Sequence, residues 1–293
     1  MARLLKTSAA EVIERPVRAV KPMPGRRPMT RQLSRAILVI PVVVSLALLV
    51  LPSVALLLRA GGLGADKLLR YARDPFFLDA LRLTLLTSLI TVGLALVLGT
   101  PVAWILARWN FPGRRFLELA VGLPVVLPPI VAGVALLMLF GRMGLLGRYL
   151  DAFGLQIPFT TAAVVLAQLF TATPFYIRTA VEGFASISPA LEEAAQVDGC
   201  SPAQAFRLVT LPLALPALVS GLTLCWAKAV SEFGATLLFA GNFRGRTQTM
   251  SLAIWTAMEV DLWEAVAMAA MLFMVSLVIF LLAERMQGTR QLH

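Results

Sequence analysis

The sequence has few charged residues and few of the side chains that most often perform chemistry. Only 14% of its 293 residues are charged, against about 25% in soluble domains, and its mean hydropathy is +0.83. Its two cysteines, Cys200 and Cys225, form no CxxC pair, which excludes a disulfide framework and disfavours dithiol redox chemistry. The single histidine, His293, excludes a haem site with paired histidine ligands and most histidine-centred catalysis. We therefore expect an integral membrane protein with no catalytic residues and no metal site, which is not itself an enzyme.

Long apolar runs dominate the sequence. A helix needs about 20 apolar residues to cross the hydrocarbon core, whereas barrel strands are about 10 residues of alternating pattern. The runs therefore predict an all-α integral membrane protein. We expect its single transmembrane domain, 36–285, to contain six spans, near 36–58, 83–107, 119–141, 161–178, 213–240 and 264–284.

The basic residues, which give a net charge of +10, lie mostly between the apolar runs. This distribution is typical of membrane proteins and argues against a nucleic-acid partner. Residues 1–35 hold nine lysines and arginines and precede a run too long for a signal peptide, so they predict a flexible basic tail that contacts membrane lipid. The positive-inside rule favours both termini in the cytoplasm, because this arrangement puts sixteen basic residues inside and eight outside, with Arg82 and Lys228 left out since they lie near or within spans. The prediction is a multi-pass protein of the inner (cytoplasmic) membrane.

Several predicted spans contain proline and glycine, most densely in LPVVLPP, Leu123 to Pro129. These residues are common in membrane helices, where small side chains let backbones approach each other. They also occur where broken helices line a transport path, because backbone groups freed by proline need protein or water as partners. Both interpretations stay open for this segment.

Segment 182–212 predicts two short helices with a stop between them. Ser188 is a candidate cap for the first helix, and Gly199 stands where a left-handed C-terminal cap is expected. Ser201 and Gln204 have the S-x-x-Q spacing of a capping box, which would start the second helix. A solvated amphipathic connector would account for such a loop, but its residue pattern is more specific.

The specific pattern is EAA-x3-G-x9-I-x-LP, with valine in place of isoleucine here: Glu193, Ala194, Ala195, Gly199, Val209, Leu211 and Pro212. It resembles the EAA loop of bacterial ABC importer permeases. The resemblance implies a type I importer fold in which this loop, between spans four and five, carries a coupling helix that docks in a cleft of a separate ATPase subunit. The residues to which it assigns this coupling are Glu192, Glu193, Ala194, Ala195, Gly199, Leu211 and Pro212.

ATP has no evident binding site in this chain. None of its four lysines stands in a G-x4-G-K-[ST] loop. We therefore expect the chain to bind no cofactor, and we expect ATP and Mg²⁺ to bind a separate ABC ATP-binding subunit.

Further segments resemble the molybdate permeases within the molybdate/sulfate-type ABC permease family. They are SEFGATLLFAGNFRGRTQT from Ser231, LPVVLPPIVAG from Leu123 and GLLGRYLDAFGLQIPFT from Gly144. Sulfate and thiosulfate permeases share the E-F-G-A core, so transport of those anions is the alternative. The resemblance implies a homodimer that works with two ATPase subunits and an extracytoplasmic molybdate-binding protein. It implies import of molybdate, with tungstate as a further possible substrate.

The residues around the E-F-G-A core are our candidates for the translocation path: Lys228, Ser231, Glu232, Phe233, Gly234 and Thr236. Hydroxyls and one cation would suit a dianion that must bind and then leave. Lys228 and Glu232 are charged within a predicted span, so they should face protein or water, either in the path or near the outer interface. A secondary anion carrier is the rival, and it would need these two ionisable groups to couple an ion gradient.

Overall fold

The chain is all-helical in the computed structural model, which describes the backbone of residues 29–288 and the side chains of 39–285. No strand occurs within that range, which confirms the all-α prediction. Most of the predicted basic tail, 1–35, lies outside the described residues. The chain divides into two compact units, one up to Val54 and one from Ala55 onward.

The helices follow one another through short connections. Their bounds are α1 (Met29–Gly61), α2 (Ala65–Ala72), α3 (Pro75–Arg108), α4 (Arg114–Val126), α5 (Pro129–Phe140), α6 (Gly147–Ala152), α7 (Thr161–Ala185), α8 (Pro189–Val197), α9 (Pro202–Ala205), α10 (Leu211–Val230), α11 (Gly234–Ala240), α12 (Met250–Val260) and α13 (Leu262–Gly288). A π-helical segment, Phe206–Thr210, makes α9 and α10 continuous.

Five of these helices are long and apolar enough to cross a membrane, and the count is six if the bent pair α4–α5 forms one span. The five are Val39–Gly61, Pro75–Arg108, Thr161–Ala185, Pro202–Val230 and Leu262–Arg285. In the first unit the described residues all belong to α1, whose Pro41 and Pro52 leave the helix unbroken. The helices containing the second and fourth predicted spans, α3 and α7, extend beyond 83–107 and 161–178.

The core of the second unit lies where α3, α7 and α10 pack together. Tyr176 of α7 is fully buried there, and a Cβ added at Gly99 of α3 would lie 2.9 Å from its ring. Glycine therefore allows these two helices to approach closely. Gln168 of α7 links them further, since it accepts a hydrogen bond from the Thr91 hydroxyl at 3.0 Å and donates one to the Thr87 hydroxyl at 3.2 Å.

The third predicted span, 119–141, is not one helix. α4 and α5 meet at a bend of 117°. Leu127 and Pro128 between them are both extended, with ψ of 130° and 137°. The prolines at 128 and 129 cause this break, because proline has no N–H to donate and pushes the preceding residue out of the helical region. The interpretation of LPVVLPP as a broken helix is therefore confirmed for the backbone.

The fifth predicted span, 213–240, is wrong at its C-terminal end. The helix stops at Val230, and a separate helix, α11, begins at Gly234. In the intervening turn the Glu232 side chain accepts a hydrogen bond from the Ala235 N–H at 2.9 Å, which satisfies one of the free N–H groups at the start of the new helix. α11 then packs against α5, and no local pattern in the sequence predicts this contact.

Candidate coupling loop and translocation site

Segment 182–212 has the predicted helix–stop–helix structure, with two differences. Gly199 has φ of +95°, the left-handed conformation expected of it. Both hydrogen bonds of the capping box between Ser201 and Gln204 are present. However, the Ser188 side chain makes no capping hydrogen bond, and the second helix is the start of Pro202–Val230 and not a separate element.

The seven residues assigned to coupling lie in two parts of the loop, on α8 with the turn after it and at the start of α10. Glu193 and Ala194 are exposed on α8, Ala195 is half-buried there, and Gly199 is exposed in the turn that follows. Leu211 and Pro212 begin α10, at the other end of the loop. The remaining residue, Glu192, is half-buried and points away from the exposed surface.

Glu192 forms an ion pair with Arg108, the last residue of α3. The Arg108 Nη2 lies 2.6 Å from Glu192 Oε1, and Nη1 donates to the Ile187 carbonyl oxygen at 2.9 Å. The side chains are only 11% and 17% exposed, so water screens the pair weakly. The sequence analysis missed Arg108, because 84 residues separate the partners and no local spacing signals their contact.

Three aromatic rings lie beside this ion pair. Trp104 of α3 makes edge contacts with Phe184 of α7 at 5.3 Å and with Phe206 of the π-helical segment at 4.8 Å between centroids. The Arg108 guanidinium lies 5.2 Å from the centre of the Trp104 ring, within the range of a cation–π interaction. The end of α3 therefore contacts both ends of the loop that carries α8.

The candidate path residues divide by exposure. The Glu232 side chain is fully enclosed, and its Oε2 lies 3.6 Å from Lys228 Nζ, whose side chain is 30% exposed. Full burial of Glu232 does not fit the alternative in which both charges are simply solvated near an interface. Ser231 is exposed and donates its hydroxyl to the Lys228 carbonyl oxygen at 3.1 Å. Thus Lys228 and Ser231 present polar groups at the surface.

The other three candidates form the packed layer behind them. Phe233 is half-buried against the Trp255 ring, while Gly234 and Thr236 are buried. A Cβ at Gly234 would lie 3.0 Å from the Pro129 Cβ, and one at Gly133 of α5 would lie 2.9 Å from the Ala235 carbonyl oxygen. The E-F-G-A segment therefore packs directly on the helix that follows the proline bend.

Metal-binding geometry is absent from the part of the chain that the structure describes. No group of three or more histidine, cysteine, aspartate or glutamate side chains lies close enough together there to hold an ion. The candidate path instead combines hydroxyls and closely packed small residues with the Lys228–Glu232 ion pair, in which only the carboxylate is enclosed. Such an arrangement can position helices and contact a polar solute.

Solved structures identify the class of fold. The chain is similar to a chain of a bacterial alginate ABC transporter in complex with an alginate-bound periplasmic protein, with 21% identity, a TM-score of 0.70, and coverage of 88% of this chain and 95% of that one. A chain of the MetNI methionine ABC transporter matches at 20% identity with a TM-score of 0.59, covering 73% and 95%. The fold is that of a type I ABC importer permease.

Sequence comparisons identify the family. Residues 99–290 match the profile of the binding-protein-dependent transport system inner membrane component, and the chain belongs to this family. It is 40% identical over 243 residues to the molybdenum transport system permease protein ModB of Mycobacterium bovis, covering 83% of this chain and 90% of that protein. It is 34% identical over 242 residues to the sulfate transport system permease protein CysT of Salmonella typhimurium, covering 82% and 87%. The predicted ABC importer permease is therefore confirmed, and the chain is a multi-pass transport subunit of the inner membrane.

Proposed function

We propose that this permease subunit imports molybdate, and tungstate with it, driven by ATP hydrolysis on a partner chain. The observation that carries the proposal is the 40% identity with a molybdenum permease over 83% of the chain, against 38% over 73% of the chain with the sulfate permease CysW of Escherichia coli. The second candidate is therefore sulfate or thiosulfate import.

The proposed assembly is a homodimer with two ATP-binding subunits and an extracytoplasmic molybdate-binding protein, with both chain termini in the cytoplasm. α8 is the proposed coupling helix. Its exposed Glu193 and Ala194 support this role, because a small side chain lets the helix seat closely in a cleft and a carboxylate can pair with a basic group there. Closure of the ATP-binding subunits would then displace α8 and open the path outward.

The proposed translocation path runs past Lys228 and Ser231. Their exposure supports direct contact with the anion, whereas Glu232, Phe233, Gly234 and Thr236 would shape the path from behind. One half-exposed ammonium group beside an enclosed carboxylate attracts a dianion weakly, which suits a site that must also release it.

The substrate is tested by ATP hydrolysis of the chain reconstituted with its ATP-binding subunit and its binding protein, the latter loaded in turn with molybdate, tungstate and sulfate. We expect stimulation by molybdate and tungstate and none by sulfate. Stimulation by sulfate alone would assign the second candidate function. Uptake that is driven by an ion gradient and needs no ATP hydrolysis would contradict the importer mechanism and would support a secondary carrier.

The coupling helix is tested with Glu193→Lys, which reverses an exposed charge on α8. We expect the variant to insert in the membrane but to lose the ATP-binding subunit on purification. Glu118→Lys is the matched control, because it reverses a charge that is also exposed and lies on α4. Equal retention of the subunit by both variants would contradict the proposed docking surface.

A further inference from the structure

We propose that Arg108 is a positioning residue that makes α8 and α3 move as one piece, and that Glu192 serves this internal contact and not the surface that meets the ATPase. The inference rests on the proposed function, in which α8 docks on an ATP-binding subunit. It assigns to Arg108 the task of passing the displacement of α8 to a membrane-spanning helix.

The contacts of α8 require such a residue. None of the residues of α8 is buried, and the helix packs on α9 and the π-helical segment without a buried core of its own. It follows α7 after a short turn in which Ile187 is the buried residue. Arg108 binds both parts at once, Ile187 through its carbonyl oxygen and Glu192 through its carboxylate. A displacement of α8 that leaves the end of α3 in place must therefore break the Arg108–Glu192 hydrogen bond.

Arginine is suited to this task by its shape. Its planar guanidinium directs several N–H groups in fixed directions, so one side chain can hold a carbonyl and a carboxylate simultaneously. Trp104 lies one turn earlier on α3 and packs against the guanidinium, which restricts its movement. Arg108 is also at the C-terminal end of its helix, where the helix dipole favours a positive charge.

The partner contacts of Trp104 extend the same connection. Phe184 lies at the end of α7, before α8, and Phe206 lies after α9, so both rings belong to the segments that enter and leave the loop. The aromatic contacts hold these two segments against α3, and Ile187 packs in the same apolar cluster. Removal of the Arg108 guanidinium should therefore free Glu192 and α8 from α3 while this cluster keeps the bundle intact.

A second ion pair nearby provides a matched control. Arg114 and Glu118 of α4 lie 2.9 Å apart, with side chains 38% and 49% exposed, and both belong to one helix. Such a surface pair contributes little to stability, and the one other hydrogen bond of Arg114, to the Asn110 side chain at 2.6 Å, reaches only the neighbouring connection. Arg114→Met and Glu118→Gln remove the same chemical groups as Arg108→Met and Glu192→Gln, so only the place of the charge differs between the two sets.

The experiment compares these variants in the full complex in proteoliposomes, with molybdate uptake and ATP hydrolysis measured on the same samples. The ratio of uptake to hydrolysis is the decisive quantity, because a smaller amount of folded protein lowers both rates equally. Retention of the ATP-binding subunit on purification is measured in parallel, because it tests docking independently of the ratio of uptake to hydrolysis.

We expect Arg108→Met to keep the ATP-binding subunit and to lower uptake per ATP by at least about fivefold, the lower range of coupling between linked sites. Glu192→Gln should act in the same direction, and the double variant should be no worse than Arg108→Met, because both act through one contact. Arg108→Lys should restore part of the ratio, since lysine can still pair with Glu192. The Arg114 and Glu118 variants should stay within about twofold of the unmodified chain.

An uptake ratio for Arg108→Met equal to that of the unmodified chain would overturn the inference, and so would losses that multiply in the double variant. If Arg108→Met cannot be purified, Glu192→Gln decides the question, because it preserves the shape of the side chain. If the unmodified chain binds no ATP-binding subunit, the proposed function itself fails, a result that is distinct from a failure of Arg108 alone.

Discussion

Lys228 Nζ lies 3.6 Å from Glu232 Oε2 across the end of α10, and only the lysine side of this ion pair reaches the surface. The second carboxylate oxygen, Oε1, accepts the N–H of Ala235 and so begins the next helix. Glu232 therefore links the last turn of a membrane span to α11, and Lys228 supplies the compensating charge. The apolar environment makes each of these contacts important for the stability of the turn.

Replacement of Lys228 by methionine should destabilise the protein by about 1–3 kcal/mol, because it leaves a buried carboxylate without its partner. The expected observation is a lower midpoint of thermal unfolding in detergent. Glu232→Gln removes the charge and keeps an acceptor for the Ala235 N–H, so it should cost less. Combining the two changes should recover part of the loss caused by Lys228→Met, and a fully additive double variant would show that the two residues do not interact.

Gly133→Ala should destabilise the contact between α5 and α11. The new Cβ would lie 2.9 Å from the Ala235 carbonyl oxygen and from the Leu238 Cβ, so the helices must separate, at a cost of about 1–3 kcal/mol. Gly93→Ala in α3 is the control, because nothing lies within 4 Å of a Cβ there. Thermal unfolding should show a lower midpoint for the first variant and an unchanged or higher one for the second. Equal midpoints would mean that α5 and α11 leave room for a methyl group at Gly133.

Gly199→Val should abolish uptake while leaving a protein that inserts in the membrane. Gly199 has φ of +95°, where a residue with a side chain costs about 1–2 kcal/mol and a β-branched one more. No atom lies within 4 Å of an added Cβ, so backbone conformation is the only obstacle in this chain. Gly199→Asn should therefore retain more uptake than the valine variant, since asparagine tolerates this conformation. Similar defects in both would indicate that the ATPase surface excludes any side chain at this position.

Gln168→Met should loosen the contact between α3 and α7. The change removes two interhelical hydrogen bonds, to Thr87 and Thr91, and each such bond contributes about 0.6 kcal/mol in membrane proteins. We expect a loss of about 1 kcal/mol, measured as a lower unfolding midpoint. Thr223→Val is the comparison, because the Thr223 hydroxyl bonds only to the Val219 carbonyl within its own helix. An identical effect of the two variants would contradict a specific role of Gln168.

The local structure of the 182–212 loop could be predicted because the interactions that form it join near neighbours. Ser201 and Gln204 cap each other three residues apart, and Gly199 adopts the one conformation that other residues avoid. The Ser188 cap failed for a related reason, since a proline at the first helical position can begin a helix without any side-chain hydrogen bond.

Two span assignments changed because local breaks in the helix outweigh hydrophobicity. Apolar composition continues through Leu127, where the prolines break the helix, and past Val230, where Glu232 caps a new one. Hydropathy measures whether a segment prefers lipid, and it does not record where the backbone turns. The broken helix at LPVVLPP was foreseeable from its prolines, whereas the packing of α11 against α5 was not, because it joins residues about 100 positions apart in the sequence.

Composition and hydrophobic length by themselves determined that this is a multi-pass helical membrane protein, and the residues of the EAA-type loop carry its resemblance to ABC importer permeases. These features depend on hydrophobic length and on contacts within one or two turns of helix. Only the tertiary structure decided that Glu192 faces Arg108 and not the surface, and that Glu232 is enclosed while Lys228 is partly exposed. The physical reason is that burial and ion pairing are properties of residues brought together from distant parts of the chain, which a linear pattern does not specify.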